Sequence, residues 1–242
     1  MALTAHLYRR LMRRTRVIWL VLLASVPGLI IAIAGIDIEP DQLPEAFVGI
    51  MLSVGFTYAI AALILTVSTL RDERDAGTLP YIYMRPIPRI SLAISALLAG
   101  ILAAATIALG GWLSTVVAGL LHGADLSLLV PGAALLLAAA VGYGAIFVPV
   151  GYLFSRSVLV GLGYLVLVEL ALSGIVSGLA QLSIWRIAGS IYVGLVDTPG
   201  LDVDAVLGAV APGVGGGLVK LSAALVLGTA VLTWALRRRD AL

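Results

Sequence analysis

Few side chains in this sequence have the chemistry needed for acid–base or nucleophilic catalysis. The two histidines, His6 and His122, are separated by three long apolar runs and fall on opposite sides of the membrane that these runs predict. A serine activated by histidine inside the membrane is therefore excluded, because the base must lie within hydrogen-bond reach of its nucleophile. The stretch ALSG at residues 171–174 resembles an intramembrane serine protease motif, but it lacks the leading glycine and a histidine partner.

The motifs of a nucleotide or metal site are also missing. GVGGGLVK at residues 213–220 is rich in glycine but lacks the GK[ST] ending of a phosphate-binding loop. DTPG at residues 197–200 resembles a GTPase signature without such a loop. The sequence contains no cysteine and no cluster of histidines and acids that could hold zinc. We therefore expect no catalytic, cofactor-binding or metal-binding residue, which predicts that this chain is not itself an enzyme.

Glu169 is the one ionisable side chain deep inside an apolar run, the stretch 158–182. An ionised carboxylate at the centre of a bilayer costs about 2.5–3.5 kcal/mol on insertion scales, so Glu169 should face the protein interior or a wet cavity. Two interpretations remain open. Glu169 lines a substrate path or a contact at a dimer seam, or it forms a buried structural hydrogen bond to a Tyr, Ser or Thr of a neighbouring span. Gly174 and Gly178 of the nearby GIVSG have the spacing that lets membrane helices pack closely, and we predict that they belong to the same path or seam.

The elements that position these residues are strongly apolar. Of 242 residues, 61% are hydrophobic and 12% are charged, whereas a soluble domain has about 45–50% apolar and about 25% charged residues. Apolar runs of about 18 or more residues predict membrane-spanning helices. Six such runs occur, at residues 17–34, 47–70, 90–121, 130–154, 158–182 and about 218–236. The sequence therefore predicts an all-α integral membrane protein with six transmembrane helices.

The loops between these runs alternate in charge. One set of loops holds 13 of the 15 basic residues: Arg9, Arg10, Arg13, Arg14, Arg16, Arg71, Arg74, Arg85, Arg89, Arg156, Arg237, Arg238 and Arg239. The other set holds Arg186 and Lys220 together with eight acidic residues. Cytoplasmic loops carry the excess of lysine and arginine, so both termini are predicted to be cytoplasmic (N-in/C-in) in a multi-pass protein of the cell (inner) membrane.

The first 16 residues have the pattern of an amphipathic helix. In LTAHLYRRLMRRTR the leucines Leu3, Leu7 and Leu11 follow helical spacing, and arginines fill the other face. This predicts an interfacial helix with its apolar side in the inner membrane surface and its arginines towards anionic headgroups or a partner. The alternative is an ordinary basic flank that is helical. Cleavage of the first run as a signal peptide is disfavoured because five further spans follow, so residues 17–242 are predicted to form the transmembrane domain.

A charged, proline-containing segment at residues 71–89 separates the second and third spans. STLRDERDAG, ending at Gly77, predicts a short helix that is capped at Ser68 or Thr69. The apolar TLPYIYM that follows should face water, which is typical of a binding surface. RPIPR then forces an extended or turned chain before the next helix. The alternative is a loop folded against its own helix ends.

ERDAGTLPYIYMRPIPR, residues 73–89, resembles the coupling-helix signature of permease subunits of type-2 ATP-binding-cassette (ABC) exporters. The matching positions are Glu73, Gly77, Thr78, Leu79, Pro86 and Arg89. One departure is Ala96, where many members of that family carry lysine. The specific motif covers only these residues, whereas the number of spans, the N-terminal helix and the basic C-terminus extend the resemblance to the layout of the whole chain.

The resemblance implies that this cytoplasmic coupling helix docks on a separate ATP-binding subunit, which would bind ATP and Mg. The residues implied in that contact are Glu73, Asp75, Gly77, Thr78, Leu79, Tyr81, Arg85, Pro86 and Arg89. It also implies a dimer, with a second permease copy or homologue and two ATP-binding subunits, whose closure drives alternating access. Residues 183–217 are similar to the short outer re-entrant helices of that family. The partners implied are therefore proteins and the lipid bilayer, not nucleic acid.

Two alternatives to an ATP-driven permease remain open on the residues alone. One is an ion- or proton-coupled secondary transporter or channel that uses Glu169. The other is a membrane scaffold without transport activity.

Overall fold

The computed structural model describes residues 2–35, 42–78, 87–172, 181–196, 207 and 212–239. Within these ranges every regular element is a helix, and no strand occurs. The prediction of an all-α protein is therefore confirmed for the described part of the chain. Helices suit an apolar environment because each one satisfies its interior backbone hydrogen bonds within a single segment.

The helices follow one another with short connections. The first five are α1 (Ala2–Leu11), α2 (Arg14–Ala24), α3 (Val26–Ala34), α4 (Leu43–Ser53) and α5 (Thr57–Asp75). They are followed by α6 (Arg89–Leu121), α7 (Leu126–Leu129), α8 (Pro131–Leu153) and α9 (Ser157–Tyr164). A π-helical segment, Leu165–Leu172, extends α9, and α10 (Ile184–Val193) and α11 (Gly213–Arg239) complete the described elements.

Four helical stretches of the described residues are long and apolar enough to cross a membrane. They are Leu43–Asp75, Arg89–Leu121, Leu126–Leu153 and Gly213–Arg238. The pair α2 and α3 forms a fifth candidate that is bent by 42°. The bend has a local cause, because Pro27 lacks the N–H that would continue the helical bonding and the Ser25 hydroxyl donates to the Val21 carbonyl at 2.8 Å.

The sixth predicted span, at residues 158–182, is described only as far as Leu172 and from residue 181 onwards. Its described helical part, Ser157–Leu170, is apolar but shorter than a full span. Four to five candidate spans are thus observed, and the count of six stays a prediction. The last span begins earlier than predicted, because the glycine-rich residues 213–217 already belong to α11.

The core forms where α5, α6 and α8 pack against one another. Small residues on the facing sides, such as Ala59 and Ala62 of α5 and Ala103 of α6, are completely or almost completely buried. Gly151 of α8 lies so close to α5 that an added Cβ would stand 2.1 Å from the Val67 carbonyl oxygen. The helices therefore meet through small residues, as is common between membrane helices.

Replacing Gly151 by alanine is expected to destabilise the bundle by about 1–3 kcal/mol, because the α5 and α8 backbones must separate to admit the methyl group. Gly49 of α4 provides a matched control, since a Cβ added there meets no atom of the described residues within 4 Å. Gly49→Ala should be neutral or stabilising by up to about 1 kcal/mol. Thermal unfolding of the detergent-purified protein measures both effects, and equal midpoints for the two variants would rule out the tight contact.

The N-terminal helix α1 packs its apolar side on the protein. Leu7 and Leu11 are buried, and α1 lies against α6. The Tyr8 hydroxyl lies 3.0 Å from the Thr106 hydroxyl oxygen of α6. The amphipathic pattern read from the sequence therefore serves contact with the other helices, and the placement of α1 at a membrane surface stays a prediction.

Candidate functional site

The end of α5 carries a buried carboxylate that is held by the N-terminal helix. The Glu73 side chain is only 1% exposed, and Arg10 Nη1 of α1 lies 2.5 Å from its Oε1. The Thr78 hydroxyl donates to the other carboxylate oxygen, and His6 Nε2 lies 3.6 Å from Oε1. Arg10 Nη2 also donates to the Asp72 carbonyl at 3.0 Å. We name Glu73, Arg10 and Thr78 the Glu73 cluster; it fastens α1 to the end of α5.

Gly77 ends the helix in a turn that stabilises this cluster. Its φ of +66° lies in the left-handed region that side chains disfavour. The Gly77 N–H donates to the Arg74 carbonyl, and the Thr78 N–H donates to the Glu73 carbonyl, both at 3.0 Å. This pair of bonds is the Schellman arrangement, which satisfies the last carbonyls of a helix. The turn therefore brings the Thr78 hydroxyl back onto the Glu73 carboxylate.

Replacing Gly77 by valine is expected to destabilise the turn by about 1–2 kcal/mol, because a residue with a Cβ adopts this conformation at a cost. Among the described residues, no atom lies within 4 Å of the added Cβ, so backbone strain is the penalty we expect to dominate. Gly77→Asn is the matched control, since asparagine tolerates positive φ and should retain most of the stability. Thermal unfolding of both variants tests this, and a loss as large for asparagine as for valine would show that strain is not the cause.

The charged residues around Glu73 connect α5 to three further helices. Arg16 of α2 donates to Ser68 Oγ at 2.9 Å and lies 3.2 Å from an Asp72 carboxylate oxygen. Arg74 donates to the Tyr152 carbonyl at 3.1 Å, which satisfies a carbonyl in the last turn of α8.

Arg71 completes this set of contacts. Its Nη1 lies 3.5 Å from Ser157 Oγ at the start of α9, the limit of a hydrogen bond. Its Nε lies 3.3 Å from an Asp75 carboxylate oxygen, one helical turn away. The helix end thus contacts α1, α2, α8 and α9 through polar side chains.

The predicted coupling residues fall into groups of different exposure. Asp75 and Gly77 are exposed, Thr78 and Arg89 are half-buried, and Glu73 is buried. The remaining predicted residues, Leu79, Tyr81, Arg85 and Pro86, lie outside the described residues. Asp75 and Gly77 are therefore accessible from outside the chain, whereas the Glu73 side chain is not.

One detail of the sequence interpretation is wrong. No new helix begins at Ser68 or Thr69, because α5 runs without a break from Thr57 to Asp75. The Ser68 hydroxyl donates to the Leu65 carbonyl at 2.8 Å, a back-bond that lets serine lie inside a helix. The stop at Gly77 is as predicted. The charged stretch is thus the end of a candidate spanning helix and is continuous with it.

Sequence reasoning missed the role of Arg10. The arginines of α1 were expected to face headgroups or a partner, but Arg10 turns towards the buried Glu73. The available signal was charge: α1 is basic, the end of α5 is acidic, and both were predicted on the same side of the membrane.

A second buried carboxylate lies in the π-helical segment. Glu169 is 7% exposed, and its Oε1 accepts the Ile184 N–H at 2.9 Å and the Tyr164 hydroxyl at 3.2 Å. The Ser183 hydroxyl donates to Oε2, and the Trp185 N–H lies 3.4 Å from each carboxylate oxygen. The carboxylate therefore caps the N-terminus of α10, where N–H groups lack helical partners and the dipole favours negative charge.

The capped helix α10 is embedded among the other helices. Trp185 Nε1 donates to the Leu52 carbonyl of α4 at 2.7 Å. Gly142 of α8 admits Ile184, since an added Cβ would stand 2.4 Å from its Cγ2. Within the predicted outer segment 183–217, this described helix is thus a short buried element between α4, α8 and α11. The observed side-chain partners of Glu169 are a tyrosine and a serine, but Tyr164 lies in the same predicted span and Ser183 directly follows it, so a bond to a neighbouring span stays a prediction.

The structure leaves part of the predicted path or seam untested. Gly174 and Gly178 lie outside the described residues, and the lining of a substrate path by Glu169 stays a prediction. Among the described residues, no group of three His, Cys, Asp or Glu side chains is placed to hold a metal ion. The two carboxylates each join helical elements, Glu73 through its ion pair with Arg10 and Glu169 through its bond from the Ile184 N–H.

Comparison with known proteins adds one match. The sequence profile of a family described as ABC-2 family transporter protein matches residues 12–188, a range that includes Glu73, Gly77 and Glu169. No curated protein matches the chain. The match covers well over half of the 242 residues and agrees with the resemblance carried by residues 73–89. The chain belongs to the ABC-2 transporter family, as a permease.

Proposed function

We propose that this chain is the transmembrane permease subunit of an ATP-driven exporter, coupled to its ATP-binding subunit by the segment 71–89. Family membership supports a membrane permease that works with an ATP-binding subunit. Export, the coupling segment and a dimer with two ATP-binding subunits belong to the proposal. ATP and Mg would be bound by the partner, so this chain would not itself be an enzyme.

The single observation that carries the coupling proposal is the Glu73 cluster. A force that the ATP-binding subunit applies to the exposed residues Asp75 and Gly77 would act on a continuous helix, α5. The end of this helix is joined to α1 by the Arg10–Glu73 ion pair. Arg74 transmits the same displacement to the end of α8 through the Tyr152 carbonyl. A flexible loop would absorb such a push, whereas this junction is able to move several spans together.

The proposed topology has six spans with both termini in the cytoplasm. The charge alternation supports this orientation, because 13 of the 15 basic residues fall in loops on one side. The Glu73 cluster also supports it, since the N-terminal helix and the end of α5 meet there. In this orientation the cluster faces the compartment that holds ATP, and α10 lies towards the outer side as part of an outer gate.

The first experiment asks whether an ATPase accompanies the chain. The affinity-tagged chain is purified from its native membrane in mild detergent, and Mg-ATP hydrolysis and the masses of bound subunits are measured. The proposal predicts a co-purifying ATP-binding subunit in a complex of two permeases and two ATPases. A tagged protein that is pure, folded and free of ATPase in repeated preparations would overturn it.

The ion-coupled carrier is a weaker candidate. It requires a carboxylate that is able to exchange an ion during transport, but the Glu169 carboxylate accepts several hydrogen bonds that cap α10. Before Glu169 could bind and release an ion, the hydrogen bonds that cap α10 would have to break.

A further inference from the structure

A long apolar groove lies between α6 and α11. It has a volume of about 690 Å³ and is lined by apolar side chains along most of its length. The lining residues of α6 recur at helical spacing, from Ile90 through Ile94 and Leu97 to Ile101. Those of α11 recur in the same way, from Leu225 to Arg237. The groove therefore follows the two helix axes and is not an isolated cavity.

The two helices run in opposite directions along the groove. The buried cluster that joins them contains Leu92, Ala93 and Ala96 from the start of α6, with Leu232 and Leu236 from the end of α11. Each wall spans about 17–18 Å at 1.5 Å per helical residue. This length matches one leaflet of a bilayer, about 15 Å, which is half of the hydrocarbon core.

One end of the groove is basic and aromatic. Arg237 and Trp234 line it there, and the Arg238 guanidinium lies 4.5 Å from the centre of the Trp234 ring. Trp234 is 51% exposed. Tryptophan beside arginine at the end of a spanning helix is typical of the level of the lipid headgroups, and basic pockets between spans bind anionic headgroups.

We propose that this groove binds an anionic phospholipid, with an acyl chain between α6 and α11 and the phosphate at Arg237 and Arg238. The apolar walls match the chain, the length matches one leaflet, and the positive charge matches the phosphate. The binding itself is independent of the transport mechanism. Only the assignment to the cytoplasmic leaflet rests on the orientation proposed above.

A second groove on the other side of α11 is less suited to this ligand. It has a volume of about 560 Å³ and is lined by α8, α10 and α11, with Lys220 as the one cation among its described lining residues. The Lys220 ammonium donates to the Gln181 side-chain oxygen. This cation already has a hydrogen-bond acceptor, whereas Arg237 lines the end of the first groove and Arg238 lies beside it over the Trp234 ring. The second groove therefore serves as an internal control.

The test compares lipids with identical acyl chains. The detergent-solubilised full-length chain is titrated with phosphatidylglycerol or phosphatidylcholine, and lipids retained on the protein are counted by native mass spectrometry. We expect preferential retention of phosphatidylglycerol. Arg237→Gln and Arg238→Gln should each weaken that preference by about fivefold, the effect of one basic residue near an anionic surface. Arg13→Gln and Arg14→Gln, at exposed arginines of the N-terminal region, should leave it unchanged.

A pair of filling variants separates the groove from a surface charge effect. Ala230→Phe places a ring in the proposed groove, and Ala223→Phe places one in the second groove. Only Ala230→Phe should reduce phosphatidylglycerol retention, with thermal unfolding confirming that both variants are folded. Equal retention of the two lipids by the native chain would overturn the proposal. So would full retention by Ala230→Phe, which would mean that the headgroup binds without the groove.

Discussion

Replacing Glu73 by leucine is expected to lower the free energy of unfolding by about 3 kcal/mol, because it leaves Arg10 without its anionic partner. The same change removes the carboxylate that accepts from the Thr78 hydroxyl, and it leaves α1 tied to the end of α5 only by weaker bonds such as that from Arg10 to the Asp72 carbonyl. Thermal unfolding of the purified chain measures the stability, and Mg-ATP hydrolysis by the assembled complex measures the coupling. We expect loss of coupled ATPase activity even below the unfolding temperature.

Two controls test whether loss of the Arg10–Glu73 ion pair causes the predicted loss of stability. The double variant Glu73→Leu with Arg10→Met removes both charges, and it should lose less stability than the sum of the two single variants. Asp75→Asn alters a carboxylate that is 55% exposed in the same stretch, and it should change stability by less than about 1 kcal/mol. Additive losses in the double variant would show that Arg10 and Glu73 act independently.

Replacing Glu169 by leucine is expected to release the N-terminus of α10. The Ile184 and Trp185 N–H groups would lose their acceptor in a buried site, where each unsatisfied donor costs about 1–3 kcal/mol. Hydrogen exchange over residues 184–193 should therefore speed up by about tenfold or more, since a loss of 1.4 kcal/mol is a tenfold change in an opening equilibrium. Exchange in α6, which is remote from the cap, should change little.

Glu169→Gln is a milder substitution whose effect on hydrogen exchange in α10 is compared with that of Glu169→Leu. Its remaining carbonyl oxygen still accepts the Ile184 N–H, but its amide group cannot accept from Ser183 or Trp185. An intermediate rate of exchange in α10 is expected. If glutamine and leucine variants both exchange like the native protein, the carboxylate is not what holds α10. If both abolish ATP-driven activity while α10 stays protected, Glu169 acts on transport by another route.

Hydropathy predicted the main architecture because the environment imposes it. Apolar runs near 20 residues have few alternatives to helix in a membrane, so α6 begins and ends within one residue of the predicted span 90–121. The bend at Ser25 was not predicted, although Pro27 was visible in the sequence. A proline inside an apolar run is compatible either with the first turn of a straight helix or with a break between two helices. Packing against the other helices decides between these two outcomes.

The contacts within the site were harder to predict than the spans. Gly77 was correctly identified as a helix stop, because its effect is local to the chain. The pairing of Arg10 with Glu73 joins residues 63 positions apart, and hydropathy contains no signal for such a pair. The cap at α10 likewise depends on how the π-helical segment approaches Ser183. The specific ion pair and the helix cap could therefore be identified only from the three-dimensional structure.

The most direct test of coupling uses the absence of native cysteine. Single cysteines are placed at Leu79 or Tyr81 of the coupling segment, or at Leu126, which is 62% exposed at the start of α7. A thiol-anchored photoreactive cross-linker is then activated in the purified complex. The proposed function predicts adducts with the ATP-binding subunit from positions 79 and 81, altered by Mg-ATP, and none from 126. Adducts from 126, or none from either coupling position in an active complex, would contradict it.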